Sequence, residues 1–285
     1  KEKNEYGWEA SSCHSLGRIA QESRDFEAAE KWYRKSLEIS EKHGNEHGAA
    51  STYHQLGMIA EERRDFEAAE KWYRKSLEIK EKHGNEHGAA LTYHQLGRIA
   101  EERRDFEAAE KWYRKSLEIE EKHGNEHYAA LTYHQLGMIA EERRDFEAAE
   151  KWYRKSLEIS EKHGSEHYAA STYHQLGRIA QERRDFEAAE KWYRKSLEIE
   201  EKHGNEHGAA STYGQLGILA KLQDHFEESG KWLIKCILAF AKCNDPAKVQ
   251  QTANNFMIFY KQAAPETQAK LKVMWESAGL GELSV

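Results

Sequence analysis

The chain has 285 residues, a third of them charged, with 43 Lys and Arg against 50 Asp and Glu for a net charge of −7. Charges of both signs are finely interspersed, which makes a solvated surface and excludes the basic clustering of a nucleic-acid binder. Three cysteines without framework spacing (Cys13, Cys236, Cys243), no apolar run near the roughly 20 residues that span a bilayer, and no opening signal peptide point to a cytoplasmic protein without membrane attachment.

The opening KEKNEYGWEA is an altered version of the EKHGNEHGAA that closes each later unit, and with Lys1 in first place the expectation is a piece of a longer protein. From there the chain repeats. Tyr53, Tyr93, Tyr133, Tyr173 and Tyr213 mark one point of successive units, as do Gly57, Gly97, Gly137, Gly177 and Gly217, and subtraction gives a period of 40 residues. A fixed period of this size means units that bury their apolar faces by stacking on neighbours. Within one unit Tyr53, Leu56, Ile59 and Ala60 form a helical stripe, predicting a helix A over about 46–63. Phe66, Ala69, Tyr73, Ser76 and Leu77, widened by Trp72 and Ile79, predict a helix B over about 66–83. Arg64-Asp65 forms the turn, with Asp65 suited to cap helix B. Gly84 suits a left-handed C-terminal cap, and Asn85 can cap the next helix A. Gly57 and Ala69 allow close approach of the two helices beside the large Trp72 and Tyr73.

The sixth unit departs, with Gly214 in place of a histidine and a more apolar second helix carrying Ile234, Ile237, Leu238 and Phe240. Asn244-Asp245-Pro246 opens a further helix to Gln262 with Val249, Ala253, Phe256, Met257 and Tyr260 in a stripe, and Pro265 opens a last one carrying Leu271, Met274 and Trp275. These two are expected to cover the exposed end. The expected division is a repeat array of about six helix-turn-helix units over 1–244 and capping helices over 245–285.

At Tyr53, Leu56, Gly57, Ala69, Tyr73 and Ser76, with Asp65-Phe66 as the turn, each unit resembles the tetratricopeptide repeat, and the resemblance spans about 10–240. Ala60 stands where the family has a second aromatic, Arg64 replaces the usual turn glycine, no proline closes the unit, and about six residues are added. The longer unit is similar to repeats of kinesin light chains, with the extra residues expected in helix B and the loop. The resemblance implies an all-α, right-handed superhelical solenoid of antiparallel helix pairs closed by C-terminal capping helices.

No phosphate-binding loop, dinucleotide motif, nucleophile elbow, H-E-x-x-H or CxxC pair occurs, so an enzyme is not expected and no cofactor is implied. His43 and His47, repeated every 40 residues, have metal-ligand spacing, but Gly44 breaks the helix between them, and packing or capping histidines are expected in place of a metal site. Glu61 and Glu62 are adjacent on a helix and point different ways, a poor acid/base couple.

Near-identical units also show which positions change. Four sets do so in helix A: Trp8/Gly48/Gly88/Tyr128/Tyr168/Gly208, Ser11/Ser51/Leu91/Leu131/Ser171/Ser211, Arg18/Met58/Arg98/Met138/Arg178/Ile218 and Gln21/Glu61/Glu101/Glu141/Gln181. With His54 or Gln55 between them they trace one helical face distinct from the core stripe. The tetratricopeptide resemblance implies that this is the concave, peptide-holding side. Drift at tolerant surface positions competes as an explanation, yet the outer faces hardly vary apart from Ser40/Lys80/Glu120/Ser160/Glu200. The expected site has an apolar centre of Leu91, Leu131, Tyr128, Tyr168, Met58 and Met138, flanked by Arg18, Arg98 and Arg178 and by His54, His94, His134 and His174. The function expected is a noncatalytic scaffold for a protein or peptide, monomeric, without nucleic acid. A second reading, from resemblance to C-terminal arrays of bacterial signal-transduction NTPases of the STAND class, is a ligand-sensing fragment. A third is a self-assembling structural array.

Overall fold

The computed structural model describes residues 2–283, with side chains from Tyr6 onward, and divides into two compact units, 1–143 and 144–285. Unit one holds α1 (Glu2–Glu22), α2 (Phe26–Lys42), α3 (Glu46–Glu62), α4 (Phe66–Lys82), α5 (Glu86–Glu102), α6 (Phe106–Lys122) and α7 (Glu126–Glu142). Unit two holds α8 (Phe146–Lys162), α9 (Glu166–Glu182), α10 (Phe186–Lys202), α11 (Glu206–Leu222), α12 (Phe226–Lys242), α13 (Pro246–Gln262) and α14 (Pro265–Ser277). No strand occurs among the described residues.

The 40-residue period resolves into two 17-residue helices and two three-residue joints. Both joints use the same backbone device. Asp65 N donates to Ala60 O and Asn85 N to Lys80 O, each at 2.8 Å, closing the preceding helix around a central residue in the left-handed region. In one joint that residue is Gly84 (φ +65°), and in the other it is Arg64 (φ +59°), so an arginine holds a conformation that favours glycine. Asp65 then caps helix B by accepting from Ala68 N at 3.0 Å, and Asn85 caps α5 through Gly88 N at 2.9 Å.

Within unit one, α1–α2, α3–α4 and α5–α6 are antiparallel pairs, and each second helix also packs on the first helix of the following pair. One core illustrates this double use: Ala29, Tyr33 and Leu37 of α2 meet Ala49, Tyr53, Leu56 and Ile59 of α3. The pair itself closes on glycine. A Cβ added to Gly57 would lie 2.6 Å from the Tyr73 ring, and one on Gly97 2.6 Å from the Tyr113 ring, so the glycine receives an aromatic side chain. In unit two α9–α10 repeats this arrangement, with Gly177 against Tyr193.

The sixth unit departs in a coordinated way. Leu233 replaces the closing tyrosine beside Gly217, and Gly230 stands where Glu190 stood, leaving no side chain to oppose Leu271 of α14. Leu233, Ile234, Phe256, Tyr260, Ala263, Leu271 and Leu283 then form one core, so α13 and α14 cover the apolar second helix as the sequence leads one to expect.

Gly97→Ala is expected to destabilise the chain by about 1–3 kcal/mol, because the Tyr113 ring has no space to retreat into; denaturant midpoints measure it, and an unchanged midpoint refutes the ring-on-glycine account. Replacing Arg24, Arg64, Arg104, Arg144 and Arg184 by glycine together is expected to raise stability by about 2 kcal/mol. Each exchange relieves a left-handed non-glycine residue and is offset in part by chain entropy, and the sites are far enough apart to add.

Candidate interaction face

The positions that vary among helix A copies stand beside the core stripe and keep contact with solvent. In unit one Arg18 (α1), Arg98 (α5) and Tyr128 (α7) are exposed, while His54 and Met58 (α3), Leu91 and His94 (α5), and Leu131, His134 and Met138 (α7) are half-buried. In unit two Tyr168 and Arg178 of α9 are exposed and His174 is half-buried. Tyr128 and Tyr168 remain 37% and 41% accessible, uncommon for large apolar side chains in this chain.

Neighbouring helices meet on this face. Arg98 Nη2 of α5 pairs with Glu61 Oε1 of α3 at 2.9 Å, and Glu61 Oε2 accepts from the buried Tyr73 hydroxyl at 2.8 Å. The fourth variable set therefore has an inward duty. Tyr33 donates to Gln21 at 2.9 Å, Tyr113 to Glu101 at 2.8 Å and Tyr193 to Gln181 at 3.3 Å, which explains why only Gln and Glu alternate there: both supply an acceptor.

Histidines of the face serve the joints between helix pairs. His54 Nδ1 lies 3.3 Å from Thr92 Oγ1, His94 Nδ1 3.3 Å from Thr132 Oγ1, and His174 Nδ1 3.0 Å from Thr212 Oγ1. Thr92 gives its only proton to Gly88 O at 3.0 Å, so His54 must be the donor, with the proton on Nδ1. Burial, assisted by Lys80, pulls His54 down to about 3; burial pulls His134 down to about 4, and, with Arg98 and Arg178 respectively, His94 and His174 to about 4. At neutral pH these rings are uncharged. The other repeated histidines sit at helix ends: His83 and His123 pair with Glu46 and Glu86 beside Lys82 and Lys122. Among the described residues no cluster of three or more His, Cys, Asp or Glu offers a metal site.

Exchange of glycine for tyrosine at the helix entrance is coupled to capping. Where Gly48, Gly88 or Gly208 stands, an asparagine accepts from its backbone N–H at 2.9–3.1 Å. A Cβ at Gly48 would lie 2.6 Å from Asn45 Nδ2, and in α7 and α9, which carry Tyr128 and Tyr168, the side-chain cap bond is missing. An N-cap bond contributes about 1 kcal/mol, and in α9 the capping position is Ser165 in place of asparagine.

One expectation needs correcting. Ser40, Lys80, Glu120, Ser160 and Glu200 do not lie on an exposed outer face; all are buried, at the joints beneath the variable entrance residues. The helix B period places them near the edge of its apolar stripe, and the next helix pair covers them. Lys80 Nζ donates to Thr92 Oγ1 at 2.8 Å, and burial lowers its pKa to about 8. Ser116 Oγ lies 2.8 Å from Glu120 Oε1 yet already donates to Ala90 O at 2.8 Å. Burial raises the Glu120 pKa, against the hydroxyls of Ser116 and Thr132. Glu200 is pushed up to about 7 by burial, against the hydroxyls of Thr212 and Ser196.

The family model of the tetratricopeptide repeat matches residues 8–82, 88–162, 128–202 and 168–237, and the chain belongs to that family. No curated protein matches the sequence. Solved structures share the fold at low identity. The apo form of RapI aligns with a TM-score of 0.70 at 15% identity, covering 93% of this chain and 99% of that one. A STAND protein with a tetratricopeptide repeat sensor from Pyrococcus horikoshii aligns at 0.68 and 18%, covering 95% of this chain and 41% of that one. The nearly identical repeats of a Podospora anserina kinesin light chain align at 0.59 and 19%, covering 68% and 96%. The chain is thus a tetratricopeptide-repeat scaffold in fold, and among the described residues no helix is long and apolar enough to cross a membrane.

The buried acid yields a pH signature. Unfolded Glu200 ionises near 4.5 and folded Glu200 near 7, so between those values unfolding releases a proton and stability falls as pH rises. Glu200→Gln is expected to match the wild type below pH 4.5 and to exceed it by up to about 3 kcal/mol above pH 7. Denaturant midpoints at pH 4.5, 6 and 8 read the difference, and a difference independent of pH refutes it.

Proposed function

We propose that the chain is a noncatalytic binding scaffold that holds a protein or peptide along the variable face of its first helices. The observation that carries this reading is the placement of change. Outside the buried joint series, substitutions among near-identical units recur on exposed and half-buried helix A positions, and two of them place an exposed tyrosine at the helix entrance. Tyr128, Leu131 and Met138 on α7 and Leu91 and Arg98 on α5 supply the aromatic, aliphatic and guanidinium groups that dominate interface energetics, and Tyr168 and Arg178 repeat the pattern in unit two. Neutral His54, His94 and His174, each already bonded to a threonine, act in this reading as preset walls of the face.

A second reading concerns context. The likeness covers 95% of this chain but 41% of the Pyrococcus horikoshii STAND protein, whose repeats are described as its sensor. In that setting the same face would report ligand occupancy to a separate catalytic region, and the chain itself would do no chemistry.

Changing Tyr128, Leu131 and Arg98 to alanine together is expected to reduce partner capture in crosslinking pull-downs at least about a hundredfold, since interface anchors of these types contribute about 1–2 kcal/mol or more each. Circular dichroism checks that helix content is kept. Undiminished capture places the binding surface elsewhere.

A further inference from the structure

The joint between the first two helix pairs is open, and it carries a serine at the position where Ser160 of a sister joint donates to Ser156 O at 2.9 Å. A cavity of about 250 Å³ lies between α1, α2 and α3, lined by Ser11, His14, Ser36, Ser40, Ser51 and Thr52 together with Gly7, Ala10, Asn45, His47 and Gly48. In the second joint Lys80 occupies the matching position, and in the third Glu120 does. Here it is Ser40, only 2% exposed, whose Oγ has no hydrogen-bond partner. A buried hydroxyl left unbonded costs about 1–3 kcal/mol, so the wall of this cavity carries an unmet demand.

Protons around the cavity define what would meet it. Ser36 Oγ donates to Ala10 O at 2.8 Å, and Thr52 Oγ1 donates to Gly48 O at 2.9 Å. Both carbonyls are acceptors only, so both hydroxyl protons are committed, and the two oxygens face other groups as acceptors. His14 Nδ1, at 3.2 Å, supplies Thr52 with one donor. The second joint shows one group that meets such capacity: the Lys80 ammonium donates to Thr92. Ser40 Oγ retains a proton to give, and Ser11, Ser51 and the Asn45 amide add further donors to the lining. No Asp, Glu, Lys or Arg lines the cavity, burial and Arg18 lower the pKa of His14, and His47 stands exposed at the lining. A charged occupant would lose its hydration without a counter-ion.

We propose that this cavity is a binding site for a primary carboxamide, whose NH₂ donates to the Ser36 and Thr52 oxygens and whose carbonyl accepts from Ser40 Oγ. A carboxamide carries two donors and an acceptor without charge, which matches the Ser36 and Thr52 oxygens and the Ser40 hydroxyl. Gly48 and Ser51 place the mouth on the variable face, so the amide is either a free small molecule or a Gln or Asn side chain of a bound peptide. The site itself does not depend on peptide binding.

Saturation-transfer NMR on the full chain tests it with propionamide, propionate and the blocked tripeptide acetyl-Ala-Gln-Ala-N-methylamide. Propionamide is expected to bind and propionate to bind at least tenfold more weakly. Ser40→Lys, which gives the first joint the filler of the second, is expected to abolish amide binding while the fold persists, because Lys80 is accommodated beside the same Ser, Thr and Gly neighbours. Ser40→Ala, which keeps the cavity and removes the donor, is expected to weaken binding about fivefold. Tripeptide binding tighter than propionamide marks a peptide side chain as the source; weaker binding marks a free amide. Equal binding of propionamide and propionate, equal signals from wild type and Ser40→Lys, or no amide binding by the wild type overturns the proposal.

Discussion

The pairs α1–α2, α3–α4, α5–α6 and α9–α10 close where a tyrosine ring rests against a glycine, and most other features follow from that contact. With no side chain at Gly57 or Gly97, the ring of Tyr73 or Tyr113 enters the first helix and is wholly buried. Its hydroxyl emerges on the far side and meets Glu61 or Glu101. The ring therefore fixes how helix A is rotated against helix B: a rotation that exposed another face would lose both the packing and the hydroxyl's acceptor. Once rotation is fixed, so is the set of helix A positions left to solvent. The variable face is the remainder after the tyrosine has taken its share.

A second layer of order lies between pairs, and it is polar. Ser76 donates to Ala50 O and Thr92 to Gly88 O, so each joint presents hydroxyl oxygens whose protons are already spent. Such a joint accepts; it does not give. This accounts for the ammonium of Lys80 inserted there and for the neutral histidine that donates from the other side. In the last pair Phe240 takes the place, Cys236 replaces the serine and Gly214 the histidine, so the joint is rebuilt with little polarity where α13 docks. Conversion of all three together shows that the trio acts as one unit.

Much of the fold was legible because the determinants are local. Asp65 and Asn85 cap as their side chains lead one to expect, Gly84 is left-handed, and the helix boundaries fall within a residue of the periodicity. Arg64 in the left-handed region was less legible, since nothing in an arginine announces that conformation; only its place opposite Gly84 in the duplicated joint does. The interaction face was read from variation, and its residues are accessible side chains of helix A. The buried series at Ser40, Lys80 and Glu120 was misplaced for a physical reason. Ser, Lys and Glu look like surface residues, and their burial comes from the following helix pair, which no periodicity within helix B encodes.

That misplacement bears on what variation means here. The variable entrance and the buried joint touch. A Cβ on Gly48 would sit 3.1 Å from Ser40 Oγ, and one on Gly208 2.7 Å from Glu200 Oε1. A side chain at the entrance therefore presses on the joint residue and on the cap asparagine at once. Tyr128 stands over Glu120 without a cap bond, whereas Gly88 stands over Lys80 with one. Ser and Glu each stand beneath both glycine and tyrosine, so the two positions vary independently although they touch, while the helix start carries its side-chain cap bond with glycine and lacks it with tyrosine. A ligand that engages the entrance residue of one unit meets a helix N-terminus held differently from its neighbour's. Specificity in such an array can then reside in how firmly each unit holds its first turn as well as in which side chains it displays.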